Sequence, residues 1–310
     1  MSKKVFIIGN GFDLDLGMNT GYSDFAKSEN WPQDSDVNSC LSHYLKAKRN
    51  IGKWFDLEKE LLLYAREAEK RFNIRHLHAS HVEKNRSFYN NLVSGLTDFL
   101  REEEKKDIKN NSVAAKVLKA VIDNGYFSSI YSFNYTDLYK IARKVGIDSH
   151  FSYEHVHGSL KDNSIILGVE EKSDLIPGYQ FLYKTYNQHY ESHAIQYDML
   201  EADEVVFFGH SLGDNDYHYF QMFFRNQCRD NMTRKDGKRI TIFTFDEKSR
   251  IEILEQLRQM NDKKTDLLFN QNKMQLICTK DGGGVRLESF LKELEKDSVR
   301  VHNAVISAFL

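Results

Sequence analysis

Proline is nearly absent from this chain of 310 residues, occurring only at Pro32 and Pro177, so few helices or strands are interrupted. Cysteine is also scarce. Cys40, Cys228 and Cys278 are odd in number, far apart and without a C-x-x-C pair. That pattern argues against a disulfide scaffold and a structural zinc ribbon, and fits a reducing, cytoplasmic compartment. An excess of one charge is missing: 43 Lys and Arg stand against 45 Asp and Glu, a net charge of −2. The overall balance therefore lacks the basic footprint of a dedicated nucleic-acid binder. Long apolar runs are missing too. The longest are about four or five residues, whereas a membrane span needs ~20. Val5–Ile8, preceded by Lys3 and Lys4 and followed by glycine, is shorter than the ~7–15-residue core of a signal peptide and reads as a buried strand. The expectation is a soluble protein without membrane contact. With 41% hydrophobic residues the composition is that of a folded globular chain, and at ~150 residues per domain it allows one large domain or two.

Val5-Phe6-Ile7-Ile8, then Gly9-Asn10-Gly11, then a helix-competent stretch, is a strand–loop–helix opening. From Cys40 to about Asp123 apolar residues recur at helical spacing: Leu57, Leu61, Ala65, Ala68 and Phe72, then Phe88, Leu92, Leu96 and Phe99, then Val113, Val117 and Val121. After Gly125 short apolar strands return at Ser129–Phe133, Phe151–Val156, Ile165–Val169, Glu204–Phe208, Ile240–Phe245 and Met274–Cys278. Helices fit between and after them at Tyr135–Val145, Tyr183–Leu200, Tyr217–Gln227, Lys248–Met260 and Leu287–Leu294. The alternation predicts an α/β fold: a Rossmann-like, mostly parallel sheet with helices on both faces. Residues 1–39 and 124–310 would form this domain and 40–123 an inserted helical subdomain.

Open α/β sheets place ligands at the carboxyl ends of their strands. At the first such end, Gly9, Asn10, Gly11, Phe12 and Asp13 form a candidate phosphate loop, although Leu14 stands where a dinucleotide fingerprint would have its third glycine. A tight turn explains the glycines equally well, and Asp13 suits a helix cap or a sugar hydroxyl. Asn134, within Ser132–Asp137, offers donors and acceptors, yet strand-end Asn is also an ordinary turn or cap residue. His155 and His157 are two apart on an expected strand, so they share a face, and Gly158 allows close approach. His157 is a candidate general base, with a structural histidine as the alternative. Gly209-His210-Ser211-Leu212-Gly213 is formally G-x-S-x-G, with Asp246 and His302 in the chain order of an α/β-hydrolase triad. Only one evident strand separates Ser211 from Asp246, and Asp214 and Asp216 would crowd an oxyanion. The other reading has Ser211, Leu212 and Asp214 meeting a nucleotide's phosphates and ribose. His76, His78 and His81, and the pair His189 and His193, lack H-E-x-x-H context and read as surface histidines, so no metal is expected.

Taken in order, these motifs resemble the AbiH family of phage abortive-infection proteins. The likeness runs from IIGNGFDLDLG and Thr20–Phe25 through Trp54–Glu58, FNYTD at 133–137, HVHGS at 155–159 and Gly168–Glu171 to GHSLGDNDYHYF at 209–220. The family in turn is similar to divergent sirtuin-like NAD-binding domains. That resemblance implies NAD as ligand or substrate, Asn134 and His157 as catalytic residues, Gly9 and Gly11 beside phosphate, Ser211 against phosphate or ribose, and Asp246 at the adenosine ribose. It implies an NAD-cleaving defence effector. Thr136 stands where the sirtuin-like pattern has an acidic residue, and the zinc cysteines of deacylases are missing. A non-catalytic nucleotide sensor, with the helical insertion engaging a partner or a second copy, is the competing class; a Ser211 hydrolase is a third. Asp56 and Glu58 either line the pocket or serve as cap and helix-face residues.

Overall fold

The structure, a computed structural model, describes residues 3–33, 39–49, 55–71, 79–123, 125 and 127–309. Six strands are described: β1 Lys4–Ile8, β2 Ser129–Ser132, β3 Glu154–His155, β4 Glu204–Phe208, β5 Arg239–Thr244 and β6 Lys273–Cys278. All their pairings are parallel, in the order β3-β2-β1-β4-β5-β6. This is the doubly wound arrangement, in which the chain works outward from β1 in one direction and then the other. The switch between the two directions falls between β1 and β4.

Alternation along the strands sends side chains to two cores. Phe6, Ile8, Ile130, Val206, Phe208, Phe243 and Ile277 pack with α1 (Asn10–Asp15), α6 (Val113–Asp123), α7 (Leu138–Lys144) and α12 (Gly284–Phe309). Val5, Ile7, Tyr131, Val205, Phe207, Ile240, Ile242 and Leu276 pack on the other face with α8 (Ile195–Glu201), α9 (Tyr217–Asn226), α10 (Glu247–Met260) and α11 (Thr265–Gln271). Strands covered on both faces read as unbroken apolar runs, which is why β1 and β4 stand out in the sequence. A third core joins α2 (Tyr22–Phe25), α3 (Cys40–Arg49), α4 (Leu57–Arg71) and α5 (Ala79–Glu103) to Leu160, Ile165, Leu167, Val169, Tyr179 and Leu182. The long connection after β3 is thus tied to the helical layer by apolar packing.

Three expected elements differ. Ile165–Val169 forms no strand; its one ladder contact is a bridge from Val169 to Tyr183. The third strand shrinks to Glu154–His155, leaving His157 in the turn beyond. Tyr183–Leu200 is not one helix: tight 3₁₀ turns at Gln180–Leu182 and Lys184–Tyr186 precede α8. Among the described residues no helix is long and apolar enough to cross a membrane.

The loops after β1 and β4 are locked together. Gly9 N–H donates to Phe208 O and Gly11 N–H to Gly209 O, both at 2.9 Å. Gly209 has φ +64, and a Cβ there would lie 2.4 Å from Gly11 C and Phe12 N. Gly209→Ala is therefore expected to cost at least about 2 kcal/mol in urea unfolding, from left-handed backbone strain plus an unrelievable clash. A loss under about 0.5 kcal/mol, the scale of an innocuous surface change, would contradict this packing.

Candidate functional site

Two buried polar clusters occupy the carboxyl ends of the central strands. The first joins β1 to β2. Asp13, on α1, is 1% exposed, and its carboxylate accepts from Asn134 Nδ2 at 2.9 Å and Thr136 Oγ1 at 2.8 Å. Asn134 Nδ2 also donates to Gly9 O at 3.2 Å. Burial pushes the Asp13 carboxyl up to about 7, against the pull of its hydrogen bonds from Thr136 and Asn134. The folded chain then holds a proton that the unfolded chain has released between pH 4 and 7, so stability falls as pH rises through that window. The full shift corresponds to about 4 kcal/mol. Asp13→Asn should flatten this part of the pH–stability curve, gaining on the wild type between pH 5 and pH 8 in denaturant melts. Parallel curves for the two proteins would contradict the buried carboxylate.

The second cluster joins β4, the turn after β3, the long connection and α4. His157, 5% exposed, sets Nε2 2.7 Å from Asp216 Oδ1. Lys184 Nζ lies 3.2 Å from the same Nε2, 3.3 Å from Asp216 Oδ1 and 3.6 Å from Glu58 Oε1. Glu58 further accepts from Gly168 N–H at 3.2 Å and from Asn215 Nδ2 at 2.9 Å. His210 Nε2 lies 3.4 Å from the second Asp216 oxygen. Phe133 packs nearly perpendicular to both imidazoles, its ring centre 5.3 Å from His157 and 4.4 Å from His210. At the rim, His218 Nδ1 pairs with Glu170 Oε2 at 2.7 Å.

Charge within this cluster is unequally held. Burial would raise Asp216, but Lys184 and His157 outweigh it and hold the carboxyl well below the usual range. Burial pulls Lys184 down, yet Asp216 and Glu58 more than offset this and keep the ammonium protonated. Burial, with Lys184 beside it, lowers His157, so the imidazole is neutral at pH 7. Burial raises Glu58 to about 7 despite Lys184. Asp216 is ionised and only accepts, so its 2.7 Å contact places the His157 proton on Nε2; Lys184, at 3.2 Å, is then a charge beside that nitrogen and not its donor, and the lone pair is left on Nδ1, a buried nitrogen with no hydrogen-bond partner among the described residues.

The structure brings only some of the sequence-derived site residues together. Asn134 and Asp13 meet directly, and His157 anchors the neighbouring cluster. Gly9 is buried and Gly11 half-buried, with the main chain of Gly209 and His210 against them, so their missing side chains admit protein backbone. Asn10, Ser211 and Asp214 are exposed beside that junction, whereas Phe12 and Leu212 are buried in the apolar cores. Asp246 caps α10, accepting from Ser249 N–H at 3.0 Å and Ser249 Oγ at 3.1 Å. His155 does not share a face with His157: its Nδ1 meets Asn134 O at 2.9 Å and its Nε2 meets Tyr153 Oη at 3.2 Å. Gly158 serves close approach by the chain itself, since a Cβ would lie 1.9 Å from Ser164 O.

The left-handed positions of the G-x-S-x-G stretch are Gly209 and Leu212, at φ 53, and not Ser211, so backbone strain falls on Leu212. Ser211 Oγ accepts from Gly213 N–H at 3.4 Å. The His302 side chain lies outside the described residues, as do His76, His78 and Trp54. His189 and His193 precede α8 in non-helical chain, so the imidazole pairing of an i,i+4 helix does not apply. Among the described residues no group of three His, Cys, Asp or Glu side chains is arranged to hold a metal.

A doubly wound parallel sheet with buried acid–base clusters at its switch point defines a Rossmann-like α/β protein with a built polar site. The chain belongs to the AbiH family: the family model for bacteriophage abortive infection AbiH matches residues 5–235, from β1 to just before β5. Both polar clusters lie inside that span, whereas Asp246 lies outside it. Comparison with curated proteins returned no match. Family membership gives the chain a role in phage abortive infection.

Proposed function

We propose that this AbiH protein hydrolyses the nicotinamide N-glycosidic bond of NAD, in the manner its resemblance to sirtuin-like domains suggests. The observation that carries the reading is His157, whose buried, unpartnered Nδ1 is backed by Asp216 on Nε2. A base of this kind needs an orienting anion on the far nitrogen and an unoccupied lone pair toward the reacting group. In the proposed reaction, water attacks the ribose C1′ as the C1′–N bond breaks. The bonding electron pair passes to the pyridinium, which departs as neutral nicotinamide. The water's proton goes to His157 Nδ1, and Asp216 stabilises the imidazolium. Asn134 accepts a hydrogen bond from a hydroxyl of the nicotinamide ribose and fixes its orientation. The exposed Asn10 and Ser211, at the joined loops, suit the phosphates.

Expression in phage-infected bacteria tests this reading. The wild type should lower cellular NAD while protecting the culture, and Asn134→Ala should do neither. Protection with undiminished NAD would overturn it. A nucleotide sensor without turnover is the second reading, favoured by one observation: Lys184 and Asp216 crowd the only 5% exposed His157. Saturable NAD binding with no product would support it.

A further inference from the structure

Asn134 has two amide hydrogens, and both are committed. One goes to Gly9 O and the other to Asp13 Oδ1, at 3.2 and 2.9 Å. Main-chain carbonyls only accept, and the ionised form of Asp13 does likewise, so these neighbours fix which end of the amide is nitrogen. Its oxygen is the end left for a ligand. Thr136 Oγ1 holds the second Asp13 oxygen at 2.8 Å, and His155 Nδ1 holds the Asn134 main-chain oxygen at 2.9 Å. The amide is thus gripped on both its side chain and its backbone.

We propose that Asp13 is a positioning residue, which acts through Asn134 by holding its amide so that the group bound there must be a hydrogen-bond donor. This inference rests on the proposed NAD cleavage for its kinetic consequence, but its structural content stands apart from it. The Asp13 carboxylate reaches Asn134 from α1, and the Thr136 hydroxyl steadies it. Protonation of Asp13 leaves the arrangement intact, because Oδ1 still accepts from Asn134 while the new O–H turns to Thr136. Among the described residues, the charged group that acts on Asp13 is Glu104, whose repulsion is weaker than the effect of burial.

The test combines kinetics with NMR on the full chain. Asn134→Ala is expected to lower kcat about 10²-fold, on the scale of losing one preorganised polar contact. Asp13→Ala should lower kcat comparably with little change in KM, and the double variant should fall no further than either alone. Asp13→Asn keeps an oxygen for Asn134 and should retain kcat within about tenfold. Losses that multiply in the double variant would overturn the proposal. Should Asp13→Ala not fold, the wild type decides. Its Asn134 side-chain amide hydrogens should exchange slowly, and their ¹⁵N shift should follow a titration near neutral pH that Asp13→Asn abolishes. Fast exchange without such a titration would overturn the positioning role. Absence of NAD turnover in the wild type refutes the cleavage reading instead, and leaves the NMR result to judge Asp13.

Discussion

Lys184→Met is expected to destabilise the chain by about 3–5 kcal/mol at pH 8, because breaking a buried ion pair from one side leaves its partner charged and uncompensated. The ammonium is 3% exposed and lies within 3.6 Å of both Asp216 and Glu58. Methionine fills much the same volume, so the loss reports charge and not a cavity. The two carboxyls can relieve the imbalance by taking up protons. The deficit should therefore shrink as pH falls from 8 toward 5, opposite in direction to a general acid weakening of the fold. Urea melts at the two pH values measure both effects. A deficit below about 1 kcal/mol at pH 8, the scale of an exposed pair, would show that Lys184 is not the cation that balances this cluster.

His157→Ala carries the largest expected effect on turnover, about 10²–10⁴-fold in kcat, the usual contribution of a positioned general base. Asp216→Asn should also lower kcat, and its pH profile separates its role from that of His157. Activity should rise as His157 loses its proton below its ordinary range and then level off. Asp216 raises the His157 pKa against the lowering by burial and Lys184. Removing the anion should move the acid limb to still lower pH. An unmoved limb in folded Asp216→Asn would contradict the pairing seen at 2.7 Å.

Much of this arrangement is visible in the residues alone, for physical reasons that can be stated. Val5–Ile8 and Glu204–Phe208 are covered on both faces, so burial writes itself as an apolar run bounded by glycine. Asn134 and His157 follow strands on one side of the sheet, and parallel topology then carries them to the same end. Lys184 left no comparable trace. It sits in a turn whose aromatic spacing, Tyr183, Tyr186 and Tyr190, imitates a helix, and its burial depends on partners distant in the chain. For the same reason the sequence around Glu58 fits a pocket-lining and a helix-face role equally well. The first turn of α4 looks ordinary until Gly168 and Asn215 are seen to close on its carboxylate. Glycines gave a half-true signal. Gly9, Gly11 and Gly209 do mark a close approach, but the approaching atoms belong to the chain itself.

The most direct test of the account is nicotinamide release from NAD by the purified chain, followed by chromatography, alone and with lysate of phage-infected cells, beside a folded His157→Ala variant. Nicotinamide and ADP-ribose are expected in equal amounts from the wild type, and at least about a hundredfold less of each from the variant. Release unchanged by His157→Ala, or no release under either condition, would contradict it.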